Sequence, residues 1–455
     1  MKLAIRSFAS HSHIMETPAS LNISEVIDRS RLGPFQVGIC VLCGLCLIMD
    51  GFDVQAMGYV APAIIREWKI PNAELGPVFG AGLLGVLIGS LLFSMLADKV
   101  GRRPVLIGMT LFFSVMTFVT AQAGSAHQML AIRFIAGMGL GGIMPNAVAL
   151  CGEYCSRAMR VTVMTIVGNG FTAGAAIGGF ISAWLIPNFG WRSVFYFGAI
   201  IPLIIALAMF FWLPESLQFL VLRAKDRRKV DKWIQRVDPG VAVPNVTVQY
   251  VVAEQKPEGV PVLHLFRDGR AMGTVLLWIV NFMNLLNLYF LSSWLPTVIR
   301  DAGRSTSTAV LVGTTVQVGG TIAALGLGWF IERFGFVPVL AAGFAVACVN
   351  IAMIGYPALP LALLFAVVFL AGMGIVGGQA AVNALAATYY PTALRSTGIG
   401  WSLGIGRIGA IVGPVLAGEL MALHWSNQQL FIAAAVPALI SALVMLSMRW
   451  VIAPT

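Results

Sequence analysis

Charge is what this sequence has least of. Asp, Glu, Lys and Arg make up 11% of its 455 residues, against 58% hydrophobic. A soluble domain is about a quarter charged, so too few charges remain to dress a water-facing surface, and the bilayer is the expected solvent. The ten-residue segments of alternating polarity that would mark a membrane β-barrel are missing as well. A cleavable signal is not expected, since residues 1–34 are polar and modestly basic and the first apolar run is too long for a signal core. Cysteine is scarce, at six residues. Cys40, Cys43 and Cys46 have a CxxCxxC spacing, but they lie inside an apolar run without histidine nearby, so they read as buried small side chains. No metal site is expected. His11, His13, His127, His264 and His424 are scattered near ends and loops. With no nucleophile–base pair and no nucleotide loop, catalysis is not expected either.

What the chain does have is long apolar runs. A helix needs about twenty apolar residues to cross the hydrocarbon. Such runs lie at 35–58, 77–97, 104–123, 127–151, 161–185 and 193–213, then at 271–291, 308–330, 337–356, 360–386, 396–421 and 428–449. Glycine is plentiful inside them, 49 in all, as close helix packing in lipid allows. Self-similarity divides the runs into two sets. Ala136-Gly137-Met138-Gly139 recurs as Ala371-Gly372-Met373-Gly374. The stretch Glu153–Arg160 matches Thr388–Arg395 at the same offset, and Ala97–Gly101 matches Ile331–Gly335 within one residue of it. The expected fold is therefore an all-α membrane protein, with twelve transmembrane helices in two pseudo-symmetric six-helix bundles. The expected boundaries are an N-terminal segment at 1–34, bundles at 35–213 and 271–449, a linker at 214–270 and a tail at 450–455. Within the linker, Leu217 to Val237 reads as a basic amphipathic helix on the membrane surface. Pro239, Pro244, Pro257 and Pro261 then mark an irregular stretch.

The net charge of +10 could point to nucleic acid, but its location argues otherwise. Cations crowd the linker, from Arg223 and Lys225 to Lys256 and Arg270, and the same side gains Lys2, Arg6, Arg29, Arg31, Lys99, Arg102, Arg103, Arg157, Arg160, Arg333, Arg395 and Arg449. The opposite loops hold only Arg66, Lys69, Arg192, Arg300 and Arg304. The positive-inside rule then places both termini in the cytoplasm of a multi-pass inner-membrane protein. The partner implied is lipid and not nucleic acid.

Short motifs narrow the reading. Ser94-Met-Leu-Ala-Asp98-Lys-Val-Gly101-Arg102-Arg103 is close to a G-x3-D-[RK]-x-G-R-[RK] pattern, with Ser94 in place of the first glycine. Its second copy keeps Glu332, Arg333 and Gly335 but has Phe336 where arginine would stand. With Arg133-Phe-Ile-Ala-Gly137-Met-Gly139 and Pro214-Glu215-Ser216, the chain resembles the major facilitator superfamily. Asp50-Gly51-Phe52-Asp53 is similar to the D-G-[YF]-D signature of its aromatic acid:proton symporters, which carry 4-hydroxybenzoate and protocatechuate. Leu140–Asn146, Gly152-Glu-Tyr154 and Gly406-Arg-Ile-Gly409 fit that branch too. The resemblance implies proton-coupled uptake of an aromatic carboxylate by alternating access. Related branches carry sialic acid, nicotinate or dicarboxylates, and a non-transporting membrane sensor is the rival from another class. No cofactor is expected beyond the coupling proton, and the chain is expected to work as a monomer.

Ionised residues inside the membrane are costly and functional by default. Asp50 and Asp53, at i and i+3, are expected on one helix face. Two such neighbours do not ionise together readily, which suits one of them to load and release a proton. Counting about 1.5 Å per residue puts Arg133 in the same layer as Asp50, so Arg133 is expected to pair with the aspartates. Arg407 sits near the middle of the eleventh run among Gly404, Gly406 and Gly409. No acid is apparent near it in its own half, which suits a carboxylate on the substrate held by its bidentate fork. Phe52, Tyr59, Trp278, Phe282, Tyr289 and Trp401 are candidate walls for a ring. Asn284, Asn287, Asn146 and Gln317 are candidate contacts for a ring hydroxyl. By resemblance, Asp98, Arg102, Arg103 and Glu153 form a gating latch on the cytoplasmic edge.

Overall fold

In the computed structural model, residues 20–451 are described, apart from residues 31, 224–226, 239–248, 252–261, 357–358 and 392–393. His11, His13, Lys2, Arg6, Arg31, Lys225, Lys256 and the four linker prolines lie outside the described residues. Among the described residues, twelve helices are long and apolar enough to cross a membrane. In chain order, spans one to six are Pro34–Trp68, Asn72–Val100, Arg102–Thr120, Ala126–Tyr154, Arg157–Phe189 and Arg192–Trp212. Spans seven to twelve are Ala271–Asp301, Thr306–Phe334, Phe336–Ile354, Leu361–Tyr389, Arg395–Ala422 and Asn427–Met448. The side on which span one begins and span six ends is called the linker side below, and the other the far side.

The repeat read from the sequence is visible in the backbone. Gly101 and Gly335 hold the matching turns after spans two and eight, with φ of 111° and 81°. This is a region that a residue with a Cβ avoids. Span four breaks at Gly142 between Ala126–Gly141 and Ile143–Tyr154. Its counterpart in span ten is a π turn over Met373–Gly377, an irregularity that clusters at functional sites. Several helices outrun their apolar cores. Span one continues through Pro62 to Trp68, because Val60, Ala61 and Ile64 are covered by protein.

Spans one and five cross backbone to backbone. A Cβ on Gly51 would lie 1.8 Å from the carbonyl oxygen of Phe171, and one on Gly174 1.9 Å from that of Ile48. Gly51 thus admits a neighbouring helix. Gly51→Val should lower stability by about 3 kcal/mol or more, at or beyond the upper end of usual overpacking costs. Gly38→Val, with nothing within 4 Å of its added carbon, should leave the melting temperature in detergent almost unmoved.

The far side is sealed between the two halves. Trp294 is fully buried, packs edge-on against Phe79 at 5.2 Å, and donates its indole N–H to the Pro414 carbonyl at 2.8 Å. Gln55 donates to the Ser292 carbonyl at 2.7 Å, and Gln317 donates to Gln55 and to the Ser292 hydroxyl. Ser307 closes spans eight and five on Ala183. The linker helices Leu217–Leu222 and Arg227–Val237 differ from the expected single surface helix. Val230, Ile234 and Val237 are buried, and Trp233 stacks on Phe35 of span one at 5.6 Å. Protein, not lipid, covers that apolar face. Ser20–Asn22 pairs in parallel with Gln249–Val251, which ties the N-terminal segment to the linker.

Candidate functional site

Between the halves lies a cavity of about 390 Å³, within the usual range for small-molecule sites, and it takes its walls from both halves. Span one contributes Asp50 and Val54, span two Leu83 and Val86, and span five Thr165, Asn169 and Thr172. Facing them are Tyr289 of span seven, Gln379 and Asn383 of span ten, and Arg407 of span eleven. Thr165 and Ala380 are exposed and Met144 is 39% exposed, so the cavity opens on the linker side.

The two aspartates face different surroundings. Three residues at 3.6 per turn leave a step of about 60° around the helix axis, enough for the two to meet different neighbours. Asp50 looks into the cavity and, among the described residues, carries no ion pair. Asp53 points into the N-terminal half, fully buried, 2.8 Å from Arg133. Thr117 adds a hydrogen bond to its carboxylate at 3.3 Å, and Arg133 also donates to its backbone carbonyl at 3.3 Å. The Phe195 ring lies 6.0 Å from the Arg133 guanidinium. Arg133 thus pairs with one aspartate only.

Arg407 faces the same cavity as Asp50, from the other half, and donates to the Ser90 hydroxyl of span two. That bond ties the halves together at the depth of the cavity. A second void of about 30 Å³, room for about one water, adjoins the cavity toward the far side. Arg133, Tyr289, Ser293 and Phe79 line it, and Val54, Val86 and Leu140 are shared by both spaces.

Most of the aromatic candidates lie elsewhere. Phe52 is buried against Phe197, and Tyr59 donates to the Ala175 carbonyl inside the N-terminal half. Trp278 packs between Phe266 and Trp401, the latter 46% exposed. Phe282 lends its carbonyl to the close crossing with Gly409. Among the described residues, Tyr289 and Phe171 are the aromatic side chains on the cavity wall. Among the amides, Asn146 donates to the Gly142 carbonyl at the break in span four. Gln317 belongs to the far-side seal. Asn284 stands one layer behind the wall, bonded to Gln379 at 2.7 Å and to the Ile375 carbonyl at 3.0 Å. Asn287 is fully buried with neither amide atom paired among the described residues.

The linker-side cluster assembles within the N-terminal half. Arg102 pairs with Glu153 at 2.9 Å, and Glu153 also accepts from Ser216. Glu215 accepts from the backbone N–H groups of Arg102 and Arg103, which caps span three where its first amides lack partners. Arg103 donates to the Leu213 and Phe210 carbonyls. Asp98 is exposed on the last turn of span two, and its backbone carbonyl accepts from Arg223. Sequence reasoning passed over Ser90, Asn169, Glu215, Gln379 and Asn383 as site residues. Gln379 and Asn383, an i, i+4 amide pair within an apolar run, carried a readable signal.

The model of the Major Facilitator Superfamily matches residues 43–273 and 277–455. The chain belongs to that superfamily. Among similar superfamily proteins, the 4-hydroxybenzoate transporter PcaK of Pseudomonas putida is 39% identical over 423 residues, covering 92% of this chain and 94% of that one. The gallate transporter of the same species is 36% identical, over 94% and 95% of the two chains. The xylose transporter XylE of E. coli, solved in a partially occluded inward-open conformation, superposes with a TM-score of 0.70 at 14% identity, over 93% of this chain and 98% of that one. Superfamily folds bind substrate at the interface of their two repeats, and the Asp50–Arg407 cavity lies between the two halves.

Proposed function

We propose that this transporter takes up an aromatic carboxylate of the hydroxybenzoate type together with a proton, by alternating access across the inner membrane. The observation that carries the reading is one cavity holding a carboxyl from one half and a guanidinium from the other, Asp50 and Arg407. The guanidinium receives the substrate carboxylate, and Asp50, without a fixed cation, holds the proton. When both are loaded the cavity's charges are balanced, and the halves can rock with little ionic cost. The Asp53–Arg133 pair serves as a rigid support for span one. The linker side faces the cytoplasm, so the cavity is open inward, and Arg102 pairs with Glu153 within its own half in that state. The names of the similar carriers support the substrate class.

Asp50→Asn in proteoliposomes tests the coupling. The variant should still exchange labelled 4-hydroxybenzoate with unlabelled compound across the membrane. It should lose accumulation driven by an imposed pH gradient. Undiminished gradient-driven accumulation by Asp50→Asn would remove Asp50 as the proton site. Competition by nicotinate, sialic acid or a dicarboxylate at lower concentration than hydroxybenzoate would move the substrate to another organic acid.

A further inference from the structure

Resting on the proposed aromatic-acid reading, we infer that Asn383 of span ten reads the ring hydroxyl of the substrate while Arg407 holds its carboxylate, so that this cavity selects hydroxylated over plain aromatic acids. Gln379 uses both of its amide N–H groups and its oxygen. Its oxygen accepts from Asn284 at 2.7 Å, and its nitrogen donates to Asn281 at 2.8 Å and to Asn383 at 3.1 Å. Asn281 in turn donates to Ser402 at 2.5 Å and to the Leu277 carbonyl at 3.2 Å. The network branches at Gln379, one branch ending at Ser402 and the other at Asn383, a residue of the cavity wall whose oxygen is engaged and whose N–H₂ group has no hydrogen bond among the described residues. Such an amide is oriented by its neighbours before any ligand arrives, which is the condition for a selective hydrogen bond.

Asn383 and Arg407 line the same cavity, from spans ten and eleven. Asn383 stands one turn beyond Gln379, toward the cavity mouth. With the carboxylate on the guanidinium, the ring lies among the apolar side chains of Leu285, Leu288 and Leu403, and its hydroxyl edge meets the amide that shares the cavity wall. A phenolic oxygen accepts from the Asn383 amide there. A plain benzoate leaves that donor without a partner in a partly desolvated place.

The test is the ratio of affinities for 4-hydroxybenzoate and benzoate, measured by calorimetry on the full-length protein in detergent. One net hydrogen bond is worth about 1 kcal/mol, so the wild-type ratio should favour the hydroxylated acid by roughly fivefold to tenfold. Asn383→Leu should bring the ratio to about one by weakening 4-hydroxybenzoate while sparing benzoate, and Asn383→Ala should do the same if the leucine variant folds poorly. A ratio unchanged in both variants, or an equal loss for both acids, overturns the role of Asn383. If the wild type binds neither acid, the aromatic-acid reading fails and takes this inference with it.

Discussion

Arg407→Ala should weaken binding of 4-hydroxybenzoate by a factor between about thirty and several thousand. Removing one partner of a desolvated, hydrogen-bonded charge pair typically costs about 2–5 kcal/mol, and each 1.4 kcal/mol is about tenfold. Two structural facts place this variant at the large end. Among the described residues, the guanidinium is the cation lining the cavity, and Asp50, left behind, repels an incoming carboxylate whenever it is unprotonated. The same substitution also removes the bond to Ser90 that ties spans eleven and two. Arg407→Lys separates these effects, because it keeps the charge but loses the planar fork, and it should restore only part of the affinity. Calorimetric titration of the purified variants decides the matter. An affinity for Arg407→Ala within threefold of wild type would take the anion site away from this residue.

The architecture was legible in the sequence because lipid leaves the backbone few choices. Each run of twenty apolar residues must become a helix, and the duplicated motifs fixed how the helices divide. The candidate site was legible only in its charges. Asp50 and Arg407 announced themselves by the cost of placing them in a bilayer. The aromatic walls did not, because in so apolar a chain Phe52, Tyr59 and Trp278 pack against neighbouring helices with the same side chains that would pack against a ring. The separation of Asp50 from Asp53 was hidden for a different reason. Their spacing puts them within about 60° of each other, and only the position of span four decides which one meets Arg133. Glu215 stood in a recognised motif, yet its work as the cap of span three depends on a contact more than a hundred residues distant in the chain.

Arg133→Ala should destabilise the protein by about 3–5 kcal/mol, the usual cost of leaving one buried charge without its partner. Asp53 has no exposure through which water could replace the lost guanidinium, and Thr117 offers it one hydrogen bond in return. The double replacement Asp53→Leu with Arg133→Met should recover most of that loss, since an apolar pair of similar volume removes both charges together. Thermal melting in detergent of the single and double variants measures both effects. The double variant should also bind 4-hydroxybenzoate with near wild-type affinity, because the pair points away from the Asp50–Arg407 cavity. Its transport decides what the pair is for. Retained gradient-driven uptake makes it a structural support, and the proton then loads through Asp50 alone. Normal folding and binding with coupling lost would instead route the proton past Arg133, through the small void that this residue shares with Tyr289.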